Sequence, residues 1–170
     1  MPESANADGS FDDIVAANRD YVEQFHLQGL EPRAARGLAV ITCMDSRIEP
    51  LGMLGLVPGD AKILRNAGAR VTPDVVRTLV LAINLLGVQR VLVVPHTRCG
   101  TLGEAAAIEA AVRAAGGPDT ADLDLLTTND QLGTLRADLE LLRASKYLSG
   151  INAAGAVYDV DTGLLGPLIH

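Results

Sequence analysis

The sequence predicts an α/β fold, a mainly parallel β-sheet flanked by helices. Three observations lead there. Apolar runs of strand length, rich in β-branched residues, recur at 38–43, 61–64 and 90–94. Segments with apolar residues at helical spacing fall between and around them, and Gly- and Pro-rich loops join the two kinds. Strands that alternate with helices build parallel sheets, because a parallel crossover needs a long connection and both sheet faces must be covered.

Residues 1–9 are small and polar and read as a disordered tail, leaving residues 10–170 as a single domain. Ser10 precedes Phe11, Ile14, Val15, Tyr21, Val22 and Phe25, which share one helical face, and Asp13 completes a Ser-x-x-Asp capping box. After a Pro-broken basic link at 31–36, Leu38 to Cys43 reads as a buried strand with Cys43 at its carboxyl end. A Gly- and Pro-rich loop leads to a second strand, Ala61 to Leu64. Thr72 and Pro73 suit the N-cap and first turn of a helix whose face is Val75, Val76, Leu79, Val80, Ile83 and Leu86, and Gly87 suits its stop. Arg90 to Val94 is the third strand, and His96 and Cys99 lie just beyond its end. Helix follows from about Leu102, a Gly- and Asp-rich loop covers 116–124, helix returns from Thr128 to about Tyr147, and a strand or hairpin closes the chain between Ile151 and Leu165.

Composition narrows the functions. Fourteen Lys and Arg against 21 Asp and Glu leave a net charge of −7, the wrong sign for a nucleic-acid partner. Aromatic residues make up 3% with no Trp, too few for base-stacking platforms. No apolar stretch reaches the roughly 20 residues that cross a bilayer, and MPESANADGS has neither a basic nor an apolar signal region, so the reading expects no membrane partner and a cytoplasmic location. Two cysteines, Cys43 and Cys99, build no disulfide framework, and in a reducing compartment they remain thiols.

Cys43 ends one parallel strand while His96 and Cys99 leave another, so sheet topology can gather all three at one edge. Two thiolates and an imidazole suit zinc, and three protein ligands leave a fourth position for water. His26 and His170, the remaining histidines, lie on the first helix and at the terminus and supply no convincing fourth ligand. Asp45 and Arg47 follow Cys43 in the turn leaving its strand. A carboxylate held by a bidentate Arg can orient a metal-bound water, or it can ligate the metal itself. Competing cysteine chemistries fail on spacing: a Cys-based phosphatase needs Arg six positions on, where Glu49 and Ala105 stand, and no Cys-x-x-Cys, Gly-x-Ser-x-Gly or Walker A motif is present. Arg65-Asn66-Ala67-Gly68 before the Thr72 helix is compatible with an anion nest or with a structural turn.

Cys43-Met44-Asp45-Ser46-Arg47, Gly59-Asp60 through Arg65-Asn66-Ala67-Gly68, and His96-Thr97-Arg98-Cys99-Gly100, in that order and spacing, resemble the β-class carbonic anhydrases. The resemblance covers residues 38–100 closely. It implies that Cys43, His96 and Cys99 bind Zn²⁺, that Asp45 and Arg47 are the catalytic dyad, and that zinc-bound hydroxide hydrates carbon dioxide reversibly to bicarbonate. It also implies a homodimer or a multiple of dimers, with the first helix packing on a neighbour. Pro95 before His96 and Arg98 between the two ligands depart from the commoner pattern and bear on substrate access. Carbonyl sulfide and carbon disulfide hydrolases share the scaffold and are the alternative activity, and a non-catalytic zinc protein closed by Asp45 is a second alternative.

Overall fold

The fold is taken from a computed structural model, which describes residues 9–170. Of the tail expected over residues 1–9, all but Gly9 lies outside the described residues. Chain contacts divide the protein into two compact units, Met1–Glu31 and Pro32–His170. In the first, helix α1 spans Asp12–Glu23 and buries none of its residues. The expected capping box does not form: Phe11 occupies the N-cap without a side-chain bond, and Ser10 Oγ accepts instead from the Asp12 N–H at 3.2 Å. Ser10 stands one residue too early to reach the N–H groups of the second and third helical residues.

In the second unit, among the described residues, strands β1 (Leu38–Cys43), β2 (Ala61–Asn66), β3 (Arg90–Val94) and β4 (Asn152–Gly155) form one parallel sheet in the order β2-β1-β3-β4. β1 and β3 have the bounds their apolar runs predict. All six residues of β1 are buried, as a central strand covered on both faces requires. β2 runs two residues past Leu64 because Arg65 and Asn66 continue its ladder against Thr42 and Cys43.

Helix α2 (Pro73–Leu86) starts and stops where its punctuation places it. Thr72 Oγ1 accepts from the Val75 N–H at 3.3 Å, and Gly87 takes the left-handed conformation at φ 75°. Helix α3 (Ala105–Ala114) begins three residues later than Leu102, since Leu102 is spent in a bridge to Thr128 and Glu104 is the N-cap. Helix α4 (Gln131–Ala144) is shorter at both ends than 128–147; Asp130, not Thr128, caps it by accepting from the Gly133 N–H at 2.8 Å. The closing segment is a parallel strand, β4, followed by bridges that return Tyr158 to His96 and to Leu165.

Alternation along β1 divides the core. Ala39 and Ile41 face Val75, Leu79, Leu135, Leu139 and Leu142 of α2 and α4, while Leu38 and Val40 face Leu56, Val94 and the 51–56 turn. Register sets Thr42 beside Val94, and the Thr42 hydroxyl donates to the Val94 carbonyl at 2.9 Å, tying the carboxyl ends of β1 and β3 together. Among the described residues no helix is long and apolar enough to cross a membrane.

Candidate metal centre

Cys43 is the last residue of β1, and His96 and Cys99 lie in the turn leaving β3, so the adjacent carboxyl ends bring the three to one place. All three are buried, and their ligand atoms lie within 4.8 Å of one another. Cys43 Sγ and Cys99 Sγ are 3.8 Å apart and not bonded. Two thiolates on one tetrahedral zinc, each about 2.3 Å from the metal, stand about 3.8 Å apart. A buried polar atom without a partner points the same way: His96 is fully buried, and its Nε2 makes no hydrogen bond. Its Nδ1 is 2.9 Å from the Thr97 carbonyl, so Nδ1 carries the proton, and the Nε2 lone pair is left for a metal. The donor set therefore fits zinc.

The ring is held from outside as well. Gln131 Nε2 donates to the His96 carbonyl at 2.8 Å, and the Thr97 N–H donates to the Tyr158 carbonyl at 2.9 Å, which fixes the turn against α4 and the C-terminal segment. Burial pushes the His96 pKa below its ordinary value, which keeps the imidazole neutral. Burial likewise pushes the Cys43 thiol up, reinforced by Cys99 and opposed by the N–H groups of Gly68 and Asp45.

Asp45 and Arg47 stand beside the three, as their spacing predicts, and are paired with each other. Asp45 Oδ1 accepts from Arg47 N at 3.0 Å and Nε at 2.9 Å, and Oδ2 accepts from Nη2 at 2.7 Å. These bonds hold the Asp45 carboxyl well below the usual carboxylate range and push the Arg47 guanidinium up. Asp45 Oδ2 is 3.7 Å from His96 Nε2. Arg47 Nη2 also donates to the Arg98 carbonyl at 3.2 Å, linking the dyad to the ligand turn.

Four further residues support the site; Arg65 and Gly68 are named in the sequence analysis without this role, and Thr101 and Gln131 are not named there. Arg65 donates to the Cys43 carbonyl at 2.9 Å and to the Asp45 carbonyl at 2.7 Å, bracing the turn that carries the dyad. Gly68, Thr101 and Gln131 contact the ligand residues. Arg65 and Gly68 sit in the Arg-Asn-Ala-Gly run flagged as a nest or a turn; the Gly68 N–H is aimed at Cys43 Sγ, 3.4 Å away. Arg98 pairs with Asp161 at the surface. His26, whose Nδ1 meets the Gln24 carbonyl, is not among the clustered groups.

A parallel sheet gathers two cysteines, one histidine and an arginine-held carboxylate at neighbouring strand ends, a group that could hold a metal ion. A family model for carbonic anhydrase matches residues 38–122. The chain is 31% identical over 163 residues to β-carbonic anhydrase 1 of Mycobacterium tuberculosis, covering 91% of this chain and 94% of that one. It is 48% identical over 67 residues to a carbon disulfide hydrolase of Acidianus sp., covering 39% of this chain and 33% of that one. The solved carbonic anhydrase of Streptococcus mutans matches with a TM-score of 0.85 and 38% identity, covering 94% of this chain and 97% of that one. The chain belongs to the β-carbonic anhydrase family, which includes carbon disulfide hydrolases among its relatives.

Proposed function

We propose that the protein is a zinc-dependent carbonic anhydrase that interconverts carbon dioxide and bicarbonate, with residues 10–170 acting as one enzyme in the cytoplasm. One observation carries this reading: Asp45 lies beside the clustered donors yet is turned to Arg47 by three hydrogen bonds. Cys43 Sγ, His96 Nε2 and Cys99 Sγ would hold the metal, and Asp45 leaves the fourth position free. Zinc bound there supplies Lewis acidity, lowering the pKa of a coordinated water from about 15.7 to about 7.

The chain's own residues do the rest. Arg47 keeps Asp45 ionised, so at neutral pH the carboxylate is an acceptor only and can orient the O–H of a water beside it. Arg65 fixes the backbone on both sides of Met44, so the ligand Cys43 and the dyad keep their spacing. The Nδ1–H bond to Thr97 holds His96 in the tautomer that binds metal. A structural site closed by Asp45 has no use for an arginine that competes for its fourth ligand, which disfavours a non-catalytic zinc protein.

The high local identity to a carbon disulfide hydrolase favours hydrolysis of a sulfur analogue as the second reading. Carbon dioxide hydration followed by stopped flow, beside hydrogen sulfide release from carbonyl sulfide by the same zinc-loaded protein, separates the two. A larger kcat/KM for carbon dioxide is expected, and a larger value for carbonyl sulfide overturns the assignment.

The active form is a homodimer or a multiple of it. Phe11, Ile14 and Val22 of the first unit are 76%, 62% and 63% exposed, an apolar face that a partner copy would cover. In the second unit an apolar groove of about 850 Å³, lined by Val76, Val80, Leu81, Leu141 and Tyr147, is a further surface of this kind.

A further inference from the structure

Each cysteine sulfur has a hydrogen-bond partner from outside the ligand set, and a side chain on the first partner would run into the second. Gly68 N–H approaches Cys43 Sγ at 3.4 Å, and Thr101 Oγ1 lies 3.2 Å from Cys99 Sγ. A Cβ on Gly68 would stand 2.8 Å from Thr101 Oγ1, closer than real Cβ contacts allow. Glycine at this position therefore does two things: it brings a backbone donor to one sulfur and leaves the space in which the hydroxyl reaches the other. A metal-bound cysteine carries no proton, so the Thr101 hydroxyl donates.

The segment bearing Gly68 is held firmly. Asn66 Nδ2 donates to the Arg70 carbonyl and Asn66 Oδ1 accepts from the Arg70 N–H, both at 2.8 Å. The Arg70 guanidinium is fixed in turn by Asp138 of α4, and the Val71 N–H donates to the same carboxylate. Within this clasp Gly68 and the buried Ala69 both take positive φ, 77° and 59°. A left-handed alanine is unfavourable and persists only where its surroundings impose it.

We propose that Gly68 and Thr101 are positioning residues that tune the metal through its two thiolates. The proposal rests on the zinc site assigned above. Two thiolates together donate enough charge to cancel zinc's double positive charge. A hydrogen bond to each sulfur draws part of that density back, leaving the metal a stronger Lewis acid than an unsupported pair of thiolates would. Asn66, Arg70 and Asp138 hold the backbone donor in place, and Thr101 supplies the second donor from the ligand turn itself.

Cobalt(II) substituted for zinc reports sulfur electron density directly, through the energy of the thiolate-to-metal charge-transfer band in the near ultraviolet. Thr101→Val is close in shape and removes only the donor. Its band moves to longer wavelength, because the sulfur lone pair rises in energy, and kcat for carbon dioxide falls about 10-fold, as loss of a ligand-supporting contact typically does. Thr101→Ser restores the hydroxyl and returns both readouts to the parent values. Gly68→Ala, which crowds the hydroxyl, shifts the band in the same direction as Thr101→Val. A band in Thr101→Val at the parent wavelength overturns the proposal while leaving the zinc site standing, and so does a Thr101→Ser protein that behaves like the valine variant. A parent cobalt protein with no thiolate charge-transfer band overturns the zinc assignment itself.

Discussion

Asp138 offers the sharpest test of what holds the metal centre in place. It is 2% exposed, and its carboxylate accepts from Arg70 Nε at 2.8 Å, Arg70 Nη2 at 3.3 Å and Val71 N at 3.2 Å. Asp138→Ala strands a guanidinium that is 19% exposed, with only the Leu126 carbonyl, 3.0 Å from Nη1, still accepting from it. Removing one partner of a buried pair costs about 3–5 kcal/mol. The surviving carbonyl and the residual exposure of Arg70 place this case near 3 kcal/mol, which for a chain of this size lowers the Tm by about 6–12 °C. Asp138→Asn keeps one acceptor but turns an amide N–H₂ toward a donor, so it loses about 1–2 kcal/mol. Thermal and urea unfolding followed by circular dichroism, on metal-free protein with a chelator present so that zinc linkage does not enter, measures both. An alanine variant within 1 kcal/mol of the parent refutes the reasoning. Zinc affinity falls in the same variant if the 66–70 segment supports Cys43, and unchanged affinity in a destabilised protein refutes that connection.

Other consequences are as direct. Pure protein holds one zinc per chain by elemental analysis; Cys43→Ser and Cys99→Ser lose it, whereas Asp45→Ala retains it while kcat/KM drops by about 10²–10³-fold, and metal loss on removing Asp45 would instead mark a closed structural site. Burial lowers the His96 pKa, so the unfolded chain takes up a proton that the fold refuses; metal-free protein keeps this contribution above about pH 6.5 and loses stability as pH falls below it. The raised Cys43 thiol has the opposite sense, costing metal-free protein stability as pH climbs past the ordinary thiol range and making zinc affinity rise with pH, so unfolding and zinc titrations between pH 5 and 10 check both slopes. Deleting residues 1–31 removes the exposed face of α1 and yields a monomer with little activity by light scattering and stopped flow; a stable, fully active monomer of the intact 17.8 kDa chain would refute the dimer.

The parts of the fold legible in the sequence are those where local chemistry and tertiary context agree. β1 is buried along its whole length and β3 carries buried Val91, Val93 and Val94 around a half-buried Leu92, so apolar runs mark both, and α2 carries a capping Thr72, a first-turn Pro73 and a left-handed Gly87. Elsewhere a long-range contact overrides local propensity. Leu102 continues the apolar pattern of α3 but pairs with Thr128, and Thr128 cannot start α4 because its backbone joins that bridge while its hydroxyl accepts from the Asp130 N–H. The clustered donors were legible because the chain's two cysteines both fall at or just past strand ends. Gly68, Thr101 and Asp138 were not. Gly68 and Asp138 act through contacts across 25 residues, to Cys43, and 68, to Arg70, while Thr101 stands only two residues from Cys99 and depends on the folded turn to aim its hydroxyl at the sulfur.

Topology explains why the chemistry gathers where it does. From the central β1 the chain moves to β2 on one side, then crosses through α2 to β3 on the other, so connections diverge between β1 and β3. At such a switch point the loops leaving the two carboxyl ends part and open a crevice. Cys43, Asp45 and Arg47 leave one strand end and His96 and Cys99 the other, so the clustered donors and the Asp45–Arg47 pair are drawn from both sides of that switch point. The substrate-distinguishing work must be done elsewhere. On the proposed function, carbon dioxide and carbonyl sulfide are linear molecules attacked at carbon by the same nucleophile, so a metal held by the three donors would serve both alike, and selectivity would come from contacts made by the surrounding walls. Arg98 and Asp161 pair beside the ligand turn, and Arg47 donates to the Arg98 carbonyl. Arg98→Ala therefore leaves the clustered donors themselves unchanged while removing a cation beside them in the chain. If that cation helps admit bicarbonate, kcat/KM for bicarbonate dehydration falls more than that for hydrolysis of uncharged carbonyl sulfide, and equal losses for both substrates would assign Arg98 to the geometry of the turn alone.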